Sequence, residues 1–321
     1  MNNTDYPFVS IIIPALNEEA TIGAALRAIS ESSYPSSHYE VIVVSDASTD
    51  RTEEIAKSYG ATVINVNSLN VGAIRNRGAE VARGEFLAFL DADCICRNDW
   101  LSNAVQILSK KECVTGCRVG ISEQAHWIEK AWYFEPQESS DEKEVLYINS
   151  GNVFFPTKIF RALSGFDESL ISGEDSEICT RAKKLCPIIS SKSLQVMHLG
   201  NPKTVRAFLK REIWHGLGAL GSFKKDWRDK PLIATVLFGI FTLFQIVGGL
   251  LWLVSQNKWV FLLASSLIFL LVATSAYMKR RALTPLSEFL QHSFLYYVYF
   301  LGRLIALTLL SFGVTSYRRT R

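Results

Sequence analysis

The sequence predicts an α/β domain with a mostly parallel sheet and flanking helices, followed by an α-helical transmembrane region. Two observations support this fold class. From Phe8 to Leu90, apolar runs rich in β-branched residues alternate with segments of helical periodicity, the order that builds a parallel sheet covered on both faces. After about Pro231, Leu, Phe, Ile and Val dominate and charged residues become rare. We therefore expect a globular domain at residues 1–228 and a membrane domain at residues 229–321.

The elements of the globular domain follow one another in a regular order. Pro14 ends the first apolar run, Gly60 and Gly84 end helical segments, and Asp50 with Glu53 forms a capping-box pattern. These signals predict strands at residues 8–13, 41–44, 62–66 and 86–90, with helices between them at about 22–29, 50–60 and 71–83. Further along we expect a strand at 146–156, helices at 157–163 and 174–185, and a last strand at 193–198.

Charge and cysteine content exclude some functions. The formal net charge of +3 is too small to indicate a nucleic-acid-binding protein. None of the six cysteines forms a C-x-x-C pair, which indicates free thiols in a reducing cytoplasm. The N-terminus has neither the basic region nor the long apolar stretch of a signal peptide, so we expect the globular domain on the cytoplasmic side.

Three apolar segments are candidates for transmembrane helices. Residues 232–254 and 259–278 carry no charge and are long enough to cross a bilayer, which disfavours a buried hairpin in a soluble core. Residues 289–314 are a weaker candidate because they contain His292 and Arg303. Basic clusters at 224–230 and 279–281 favour a cytoplasmic location, but three crossings would place the basic residues at 318–321 outside. We therefore expect two to three transmembrane helices.

Polar side chains follow the predicted strands at the point where each strand ends. Asn17, Asp46, Asp91 and Asp93 lie just after apolar runs, and ligands bind beyond the carboxyl ends of parallel strands. Asp91 and Asp93 together could hold Mg²⁺ or Mn²⁺, which keep positions open for phosphate oxygens. An Asp-x-Asp pattern alone arises by chance about once in a chain of this size. Its position after a buried strand strengthens the metal interpretation.

Two more residues near this edge could bind a nucleotide. Asp46 could accept hydrogen bonds from a nucleobase or ribose, whereas Asp50 is better explained as a helix N-cap. Arg75 could form two hydrogen bonds to a diphosphate, whereas Arg77 suits a solvated helix face.

Candidate groups for proton transfer and further metal binding lie later in the chain. Glu174 and Asp175 occupy a loop–helix junction, where a carboxylate could act as a general base, although an N-cap is the simpler explanation of either acid in isolation. His198 ends the last predicted strand and could bind Mn²⁺, although a lone histidine is more often structural.

Taken in order, these motifs resemble those of the family-two glycosyltransferases of the GT-A fold. The resemblance implies a Rossmann-like nucleotide-sugar-binding domain and an inverting single displacement that needs one base and no covalent nucleophile. It covers most of the first 200 residues. The matching pieces are PALNEE at 14–19, SDASTD at 45–50, GAIRNRG at 72–78, DAD at 91–93, GFDESL at 165–170, GEDSE at 173–177 and His198.

The resemblance also implies a role for each matching residue. It implies Asp175 as the catalytic base and Glu174 beside it as support for the acceptor. The metal, Mn²⁺ or Mg²⁺, would be held by Asp93 and His198, with Asp91 near the ribose or the metal-bound diphosphate. The nucleotide sugar would contact Pro14, Ala15, Asn17, Glu18, Asp46, Arg75, Asp91 and Ala92.

The chain departs from the processive members of this family. Residues 211–216 do not match their Gln-x-x-Arg-Trp motif, so we expect a single addition, with Arg211 as a further candidate for diphosphate contact. The mixed basic and apolar stretch at 204–229 is typical of an interfacial segment. Arg303 could face a lipid phosphate or reach the interface by snorkelling.

The resemblance and the apolar segments together lead to one expected function. We expect a multi-pass enzyme of the inner, cytoplasmic membrane in cell-envelope glycan biosynthesis, using a nucleotide-sugar donor, with a UDP-sugar favoured. Its acceptor would be a polyprenyl phosphate, a lipid-linked glycan or a glycolipid. Alternatives are a soluble or polysaccharide acceptor, a non-catalytic nucleotide-sugar-binding protein, and a nucleotidyltransferase.

Overall fold

The computed structural model describes residues 6–67, 70–122, 124–133, 141–170, 172–223, 230–280 and 285–312, without the side chains of 218–223, 230 and 280. The chain divides into two compact units. The first comprises Met1–Glu123 and Gln137–Asn201, and the second comprises Gln124–Pro136 and Pro202–Arg321. The domain boundary after residue 228 stays a prediction.

The first unit is built on an eight-stranded sheet and a separate two-stranded sheet. The order of the large sheet is β3-β2-β1-β4-β8-β6-β9-β7, and its first four strands are parallel, as the sequence predicts. β8 runs antiparallel to both β4 and β6. The strands are β1 (Val9–Ala15), β2 (Tyr39–Asp46), β3 (Thr62–Val66), β4 (Phe86–Leu90), β5 (Cys94–Ile95), β6 (Val114–Gly116), β7 (Glu142–Glu144), β8 (Asn152–Pro156), β9 (Ile188–Ser191) and β10 (Met197–His198).

The central strands are apolar on both faces because helices cover the sheet on both sides. Ile11 and Ile13 of β1 join one buried cluster, while Ile12 between them joins the other. The helices of this unit are α1 (Ile22–Ser30), α2 (Thr52–Ser58), α3 (Val71–Val81), α4 (Trp100–Lys110), α6 (Thr157–Ala162) and α7 (Glu174–Ala182).

Three sequence predictions are corrected here. Arg51, not Asp50, is the N-cap of α2, although the Asp50 Oδ1 atom accepts a hydrogen bond from the Thr52 amide at 3.0 Å. The strand expected at 146–156 is limited to β8, because residues 149–151 form a turn whose side chains contact α7. The strand expected at 193–198 is a 3₁₀ turn followed by β10, because the Asn152 side chain binds the Leu194 carbonyl oxygen in place of a neighbouring strand.

The second unit is helical. It contains α5 (Trp127–Trp132), α8 (Val205–Phe223), α9 (Lys230–Ser255), α10 (Trp259–Arg280) and α11 (Leu286–Ser311). Among the described residues, three helices are long and apolar enough to cross a membrane: Pro231–Ser255, Trp259–Lys279 and Leu286–Ser311. Only 11%, 22% and 28% of their most apolar windows are buried, which disfavours a soluble core hairpin.

Several basic residues that bear on the orientation of the chain in the membrane lie outside the described residues. This applies to Lys224, Lys225, Arg228, Arg281, Arg318, Arg319 and Arg321, and to the end of the predicted segment at 313–314.

Two glycines allow a close approach of α8 and α11 within the helical unit. A Cβ atom on Gly302 would lie 2.9 Å from the Glu212 Cβ atom, and one on Gly216 would lie 2.5 Å from the Ala306 Cβ atom. Ile213, Leu217 and Ala306 fill the contact beside them. Small residues at such positions let helix backbones pack tightly.

Candidate active site

A buried arginine joins two of the sequence motifs. Arg75 on α3 is only 3% exposed, and its guanidinium donates from Nη2 to the Asp91 Oδ1 atom at 2.7 Å and from Nη1 to the Glu174 Oε1 atom at 2.9 Å. Both distances are in the range of strong charge-assisted hydrogen bonds. Arg75 therefore fixes the turn after β4 relative to the first turn of α7.

Two residues that the sequence did not single out complete this network. The Ser150 hydroxyl donates to the same Glu174 Oε1 atom at 3.0 Å, and the Asn149 side-chain amide donates to the Asp175 Oδ2 atom at 3.3 Å. Both belong to the Asn-Ser-Gly turn before β8, and this run of polar and small residues before an apolar strand was the available signal. A Cβ atom on Gly151 would lie 2.6 Å from the Asp91 Oδ2 atom, so the turn passes close to the DAD motif.

Asp175, the candidate general base, carries a partly buried carboxyl group with a raised pKa. It lies in the first turn of α7, where its Oδ1 atom accepts a hydrogen bond from the Ser176 amide at 2.7 Å. Burial, followed by the charge of Glu174, raises the pKa of Asp175 to about 6. The N-cap of α7 is Gly173, at φ 85°, so the alternative that Glu174 or Asp175 is the N-cap is wrong.

The loop that leads to α7 is held by the GAIRNRG motif. The Asn76 side chain accepts a hydrogen bond from the Phe166 amide and donates one to its carbonyl oxygen, both at 2.9 Å. Gly165 has a φ of 73°, and a Cβ atom there would lie 2.5 Å from the Asn76 Oδ1 atom. Asn76 therefore positions the GFDESL turn, a role that the sequence interpretation did not assign.

A candidate metal centre is formed by Asp93, Cys94 and His198. Their ligand atoms lie within 4.8 Å of one another, and the His198 Nε2 atom is 3.3 Å from the Asp93 Oδ1 atom. The pairing of β5 with β10 places His198 opposite Cys94. The sequence does not indicate that Cys94 lies beside His198. A Cβ atom on Gly200 would lie 1.9 Å from the Asp93 Oδ2 atom, so any larger residue at this position would displace the Asp93 carboxylate.

The donor set fits a divalent cation. Asp93 is fully buried, and a buried carboxylate is stabilised by a cation. The buried His198 Nδ1 atom has no hydrogen-bond partner among the described residues. A carboxylate with an imidazole suits Mn²⁺ better than Mg²⁺, whereas the Cys94 thiol is a softer ligand than either ion prefers. Asp91 lies outside this group and contacts Arg75, so its metal role stays a prediction.

The turns after β1 and β2 are tied together at the expected edge. Asn17, at φ 54°, donates its amide to the Ser48 Oγ atom at 3.1 Å, and its side chain accepts from the Thr49 amide at 2.8 Å. The amide of the buried Glu18 donates to the Thr52 Oγ1 atom at 2.7 Å. These bonds hold the PALNEE turn against the SDASTD turn.

The remaining predicted nucleotide-binding residues lie at strand ends. Pro14 and Ala15 end β1, where they pair with Val44 and Ser45 of β2, and Asp46 ends β2. Ala92 is buried in the apolar cluster under the sheet. The proposed contacts of these residues with a nucleotide sugar stay predictions.

Comparison with known proteins gives a family match for residues 10–164. The glycosyl transferase family 2 model matches residues 10–164. Glycosyltransferase AglE of Haloferax volcanii is 41% identical over 109 residues, which cover 32% of this chain and 36% of that protein. The amylovoran biosynthesis glycosyltransferase AmsB of Erwinia amylovora is 29% identical over 194 residues, which cover 55% of this chain and 64% of that protein. The chain thus spans between a third and two thirds of the length of these relatives.

A solved structure shares the fold. The mannosyltransferase PcManGT from Pyrobaculum calidifontis, in complex with GDP-Man and Mn²⁺, is 20% identical with a TM-score of 0.61, covering 95% of this chain and 88% of that chain. Its similarity and the parallel order of β1 to β4 agree with the predicted fold class. Residues 10–164 of this chain are therefore a glycosyl transferase family 2 domain on a GT-A-like fold.

Proposed function

We propose that this chain transfers a sugar from a nucleotide-sugar donor to a membrane-associated acceptor, with inversion at the anomeric carbon and one addition per reaction. The observation that supports this most strongly is the Arg75 bridge. It joins Asp91 of the DAD motif to Glu174, which is adjacent to the candidate base Asp175. The DAD motif and the GED motif therefore both contact the buried guanidinium of Arg75.

Asp175 removes the proton from the acceptor hydroxyl as that oxygen attacks the anomeric carbon. With a pKa of about 6, Asp175 is mostly ionised at pH 7, yet it is a stronger base than an ordinary aspartate. Asn149 orients its carboxylate. Arg75 and Ser150 hold Glu174, whose negative charge supports the raised pKa of Asp175.

The leaving group is a nucleoside diphosphate. Asp93 and His198 would hold Mn²⁺ or Mg²⁺, with Cys94 beside them. Such an ion, when bound, neutralises the charge that develops on a departing diphosphate. Asn17, Glu18 and Asp46 would contact the nucleotide from the joined turns after β1 and β2.

Membrane attachment supports a lipid-borne acceptor. The three long apolar helices of the second unit would hold the enzyme in the cytoplasmic membrane, where a polyprenyl phosphate, a lipid-linked glycan or a glycolipid is available. The second candidate is transfer to a polysaccharide, which the similarity to an amylovoran biosynthesis enzyme favours.

The test is release of nucleoside diphosphate by the purified protein in detergent. The donor panel contains UDP-, GDP- and dTDP-sugars, including GDP-mannose, with Mn²⁺ or Mg²⁺ and a bacterial lipid extract. We expect lipid-stimulated, metal-dependent release from one donor, reduced about 10²- to 10⁴-fold in Asp175→Asn because a positioned base contributes that factor.

Asp99→Asn is the matched control, because Asp99 is a partly exposed aspartate in contact with Arg97. It should leave the rate unchanged. A folded protein that binds nucleotide but releases no diphosphate from any donor would contradict the proposal and favour a non-catalytic binding protein.

A further inference from the structure

Arg303 is a cation within α11, one of the helices that could cross a membrane. It lies about 12 Å from the end of that helix at Ser311, at 1.5 Å per residue. Its side chain is mostly buried, and its Nε atom has no hydrogen-bond partner among the described residues. Charged residues at such depth are costly and usually mark a functional site.

The surroundings of Arg303 include a second guanidinium and one carboxylate. Glu212 on α8 is 2% exposed and accepts from the Nη2 atoms of both Arg303 and Arg211, each at 3.4 Å. These contacts are long beside the 2.7 and 2.9 Å bonds of Arg75. Glu212 therefore orients the two guanidinium groups without binding either tightly.

Aromatic rings and a hydroxyl group line the same cluster. The Arg303 Cζ atom lies 4.9 Å from the Tyr299 ring centroid, and the Arg211 Cζ atom lies 5.0 Å from that of Tyr133. The Tyr133 hydroxyl is buried and has no hydrogen-bond partner in the described part of the chain. Two guanidinium groups and a phenol thus belong to one partly aromatic cluster within the helical unit.

We propose that Tyr133, Arg211 and Arg303 bind the phosphate of a membrane lipid headgroup. Guanidinium N–H groups match the geometry of phosphate oxygens, and basic pockets between membrane helices recognise lipid headgroups. The Arg303 Nε atom is the donor without a partner among the described residues, so the ligand takes this donor. The apolar surface exposed on α11, which includes Leu290 and Phe294, favours a ligand with a hydrocarbon chain over free phosphate.

The test is a binding measurement on the full-length protein in a phosphate-free maltoside detergent. Farnesyl phosphate is the probe, and farnesol and inorganic phosphate are the comparison ligands, with bound ligand detected by native mass spectrometry. We expect farnesyl phosphate to bind, and Arg303→Gln to weaken it by roughly tenfold or more, because hydrogen bonds between charged groups contribute that much. Tyr133→Phe, which removes only the hydroxyl, should weaken binding severalfold.

Arg206→Gln is the matched control, because Arg206 is an exposed arginine on the same helix as Arg211. It should leave the affinity unchanged. Since Arg303→Gln alone leaves Glu212 buried without this cation, the double variant Arg303→Gln with Glu212→Gln removes both charges. Loss of binding in the double variant at an unchanged Tm supports the proposal.

Equal binding of farnesyl phosphate by wild type and Arg303→Gln would overturn the proposal. Equal affinity for inorganic phosphate or for farnesol would overturn the assignment to a lipid phosphate. The binding assay contains no nucleotide sugar. A failure to bind farnesyl phosphate would therefore not contradict the proposed transferase activity.

Discussion

Arg75 binds both Asp91 and Glu174, so its replacement should affect both the stability of the protein and its activity. Arg75→Met removes the cation from two largely buried carboxylates, at a cost of about 3–5 kcal/mol, which lowers Tm by about 6 °C or more. Arg75→Lys keeps the charge but not the planar pair of donors, so we expect a folded protein with at least a tenfold loss of diphosphate release.

Thermal unfolding and diphosphate release check both variants. Arg77→Met is the control on the same helix, because Arg77 is a partly exposed residue whose partners Glu80 and Glu168 are exposed. Wild-type rates in Arg75→Lys would show that the bridge is not needed for activity.

The pH dependence of the reaction should report Asp175. Its ionised form is the base, so kcat/KM should fall about tenfold per pH unit below a pKa of about 6. Glu174→Gln removes the neighbouring negative charge while keeping an acceptor for Arg75 and Ser150. We therefore expect the acid limb of the profile to move to lower pH.

Glu177→Gln is the control for this experiment, because Glu177 lies on the same helix but pairs with Arg181. An acid limb that stays in place in Glu174→Gln would assign the titration to another group.

The raised pKa of Asp175 also has a consequence for the stability of the protein. Burial disfavours the charged form of Asp175, so the stability contribution of its protonated form is lost as pH rises through 6, and Asp175→Asn should not lower Tm at pH 8.

At the scale of elements, the pairing of β5 with β10 brings Cys94 and His198 of the candidate metal centre together. Gly200 follows β10, and Gly200→Ala would place a Cβ atom 1.9 Å from the Asp93 Oδ2 atom and 3.4 Å from the His198 Cε1 atom. We expect this methyl group to displace the carboxylate and weaken Mn²⁺ binding at least tenfold, measured by calorimetry or by electron paramagnetic resonance.

Gly23→Ala is the control, since a Cβ atom on that helical glycine meets only Ile55 at an ordinary 3.5 Å. It should bind Mn²⁺ as wild type does. Unchanged Mn²⁺ affinity in Gly200→Ala would place the metal elsewhere.

The sequence predicts well those elements whose apolar pattern extends over many residues. β1, β2 and β4 are contiguous apolar runs, and α1 buries Ile22, Ala25, Leu26 and Ile29 at helical spacing. By contrast β5, β6 and β7 have two or three residues each, too few to show a period. α4 also went unpredicted, although it buries Trp100, Leu101, Ala104, Val105 and Leu108.

The sequence indicates those candidate-site residues that belong to a motif, and it does not indicate those that only a tertiary contact brings to the candidate site. The acids of the DAD and GED motifs stand out beside apolar strands or glycines. Ser150 and Asn149 enter the site only because the chain turns before β8, and nothing in their local sequence specifies Glu174 and Asp175 as partners. Arg75 was expected to bind a diphosphate. Its two carboxylate partners are distant in sequence, so the motif around Arg75 does not reveal them.

At the scale of the whole molecule, the acceptor decides between the two candidate functions. With a radiolabelled donor and a bacterial membrane fraction, we expect the labelled product to partition into organic solvent, because a lipid-borne acceptor carries a hydrocarbon chain. Boiled enzyme and Asp175→Asn serve as controls. Label that remains in the aqueous phase as a polymer would instead support the polysaccharide acceptor.

The path of the chain through the two units has a consequence for synthesis in the cell. Residues Gln124–Pro136 belong to the helical unit, although the segments before and after them belong to the sheet unit. Within the helical unit, Ile128 and Ala131 of α5 are buried with Phe208, Leu295 and Val298.

α11 lies far beyond α5 in the chain and therefore leaves the ribosome later. At a synthesis rate of about 5–20 residues per second, α11 is made on the order of 10 to 30 s after α5. During that interval Ile128 and Ala131 lack their partners Leu295 and Val298, so we expect chaperones or the membrane surface to shield them. A fragment that ends at Asn201 would retain the same exposed face permanently and should aggregate.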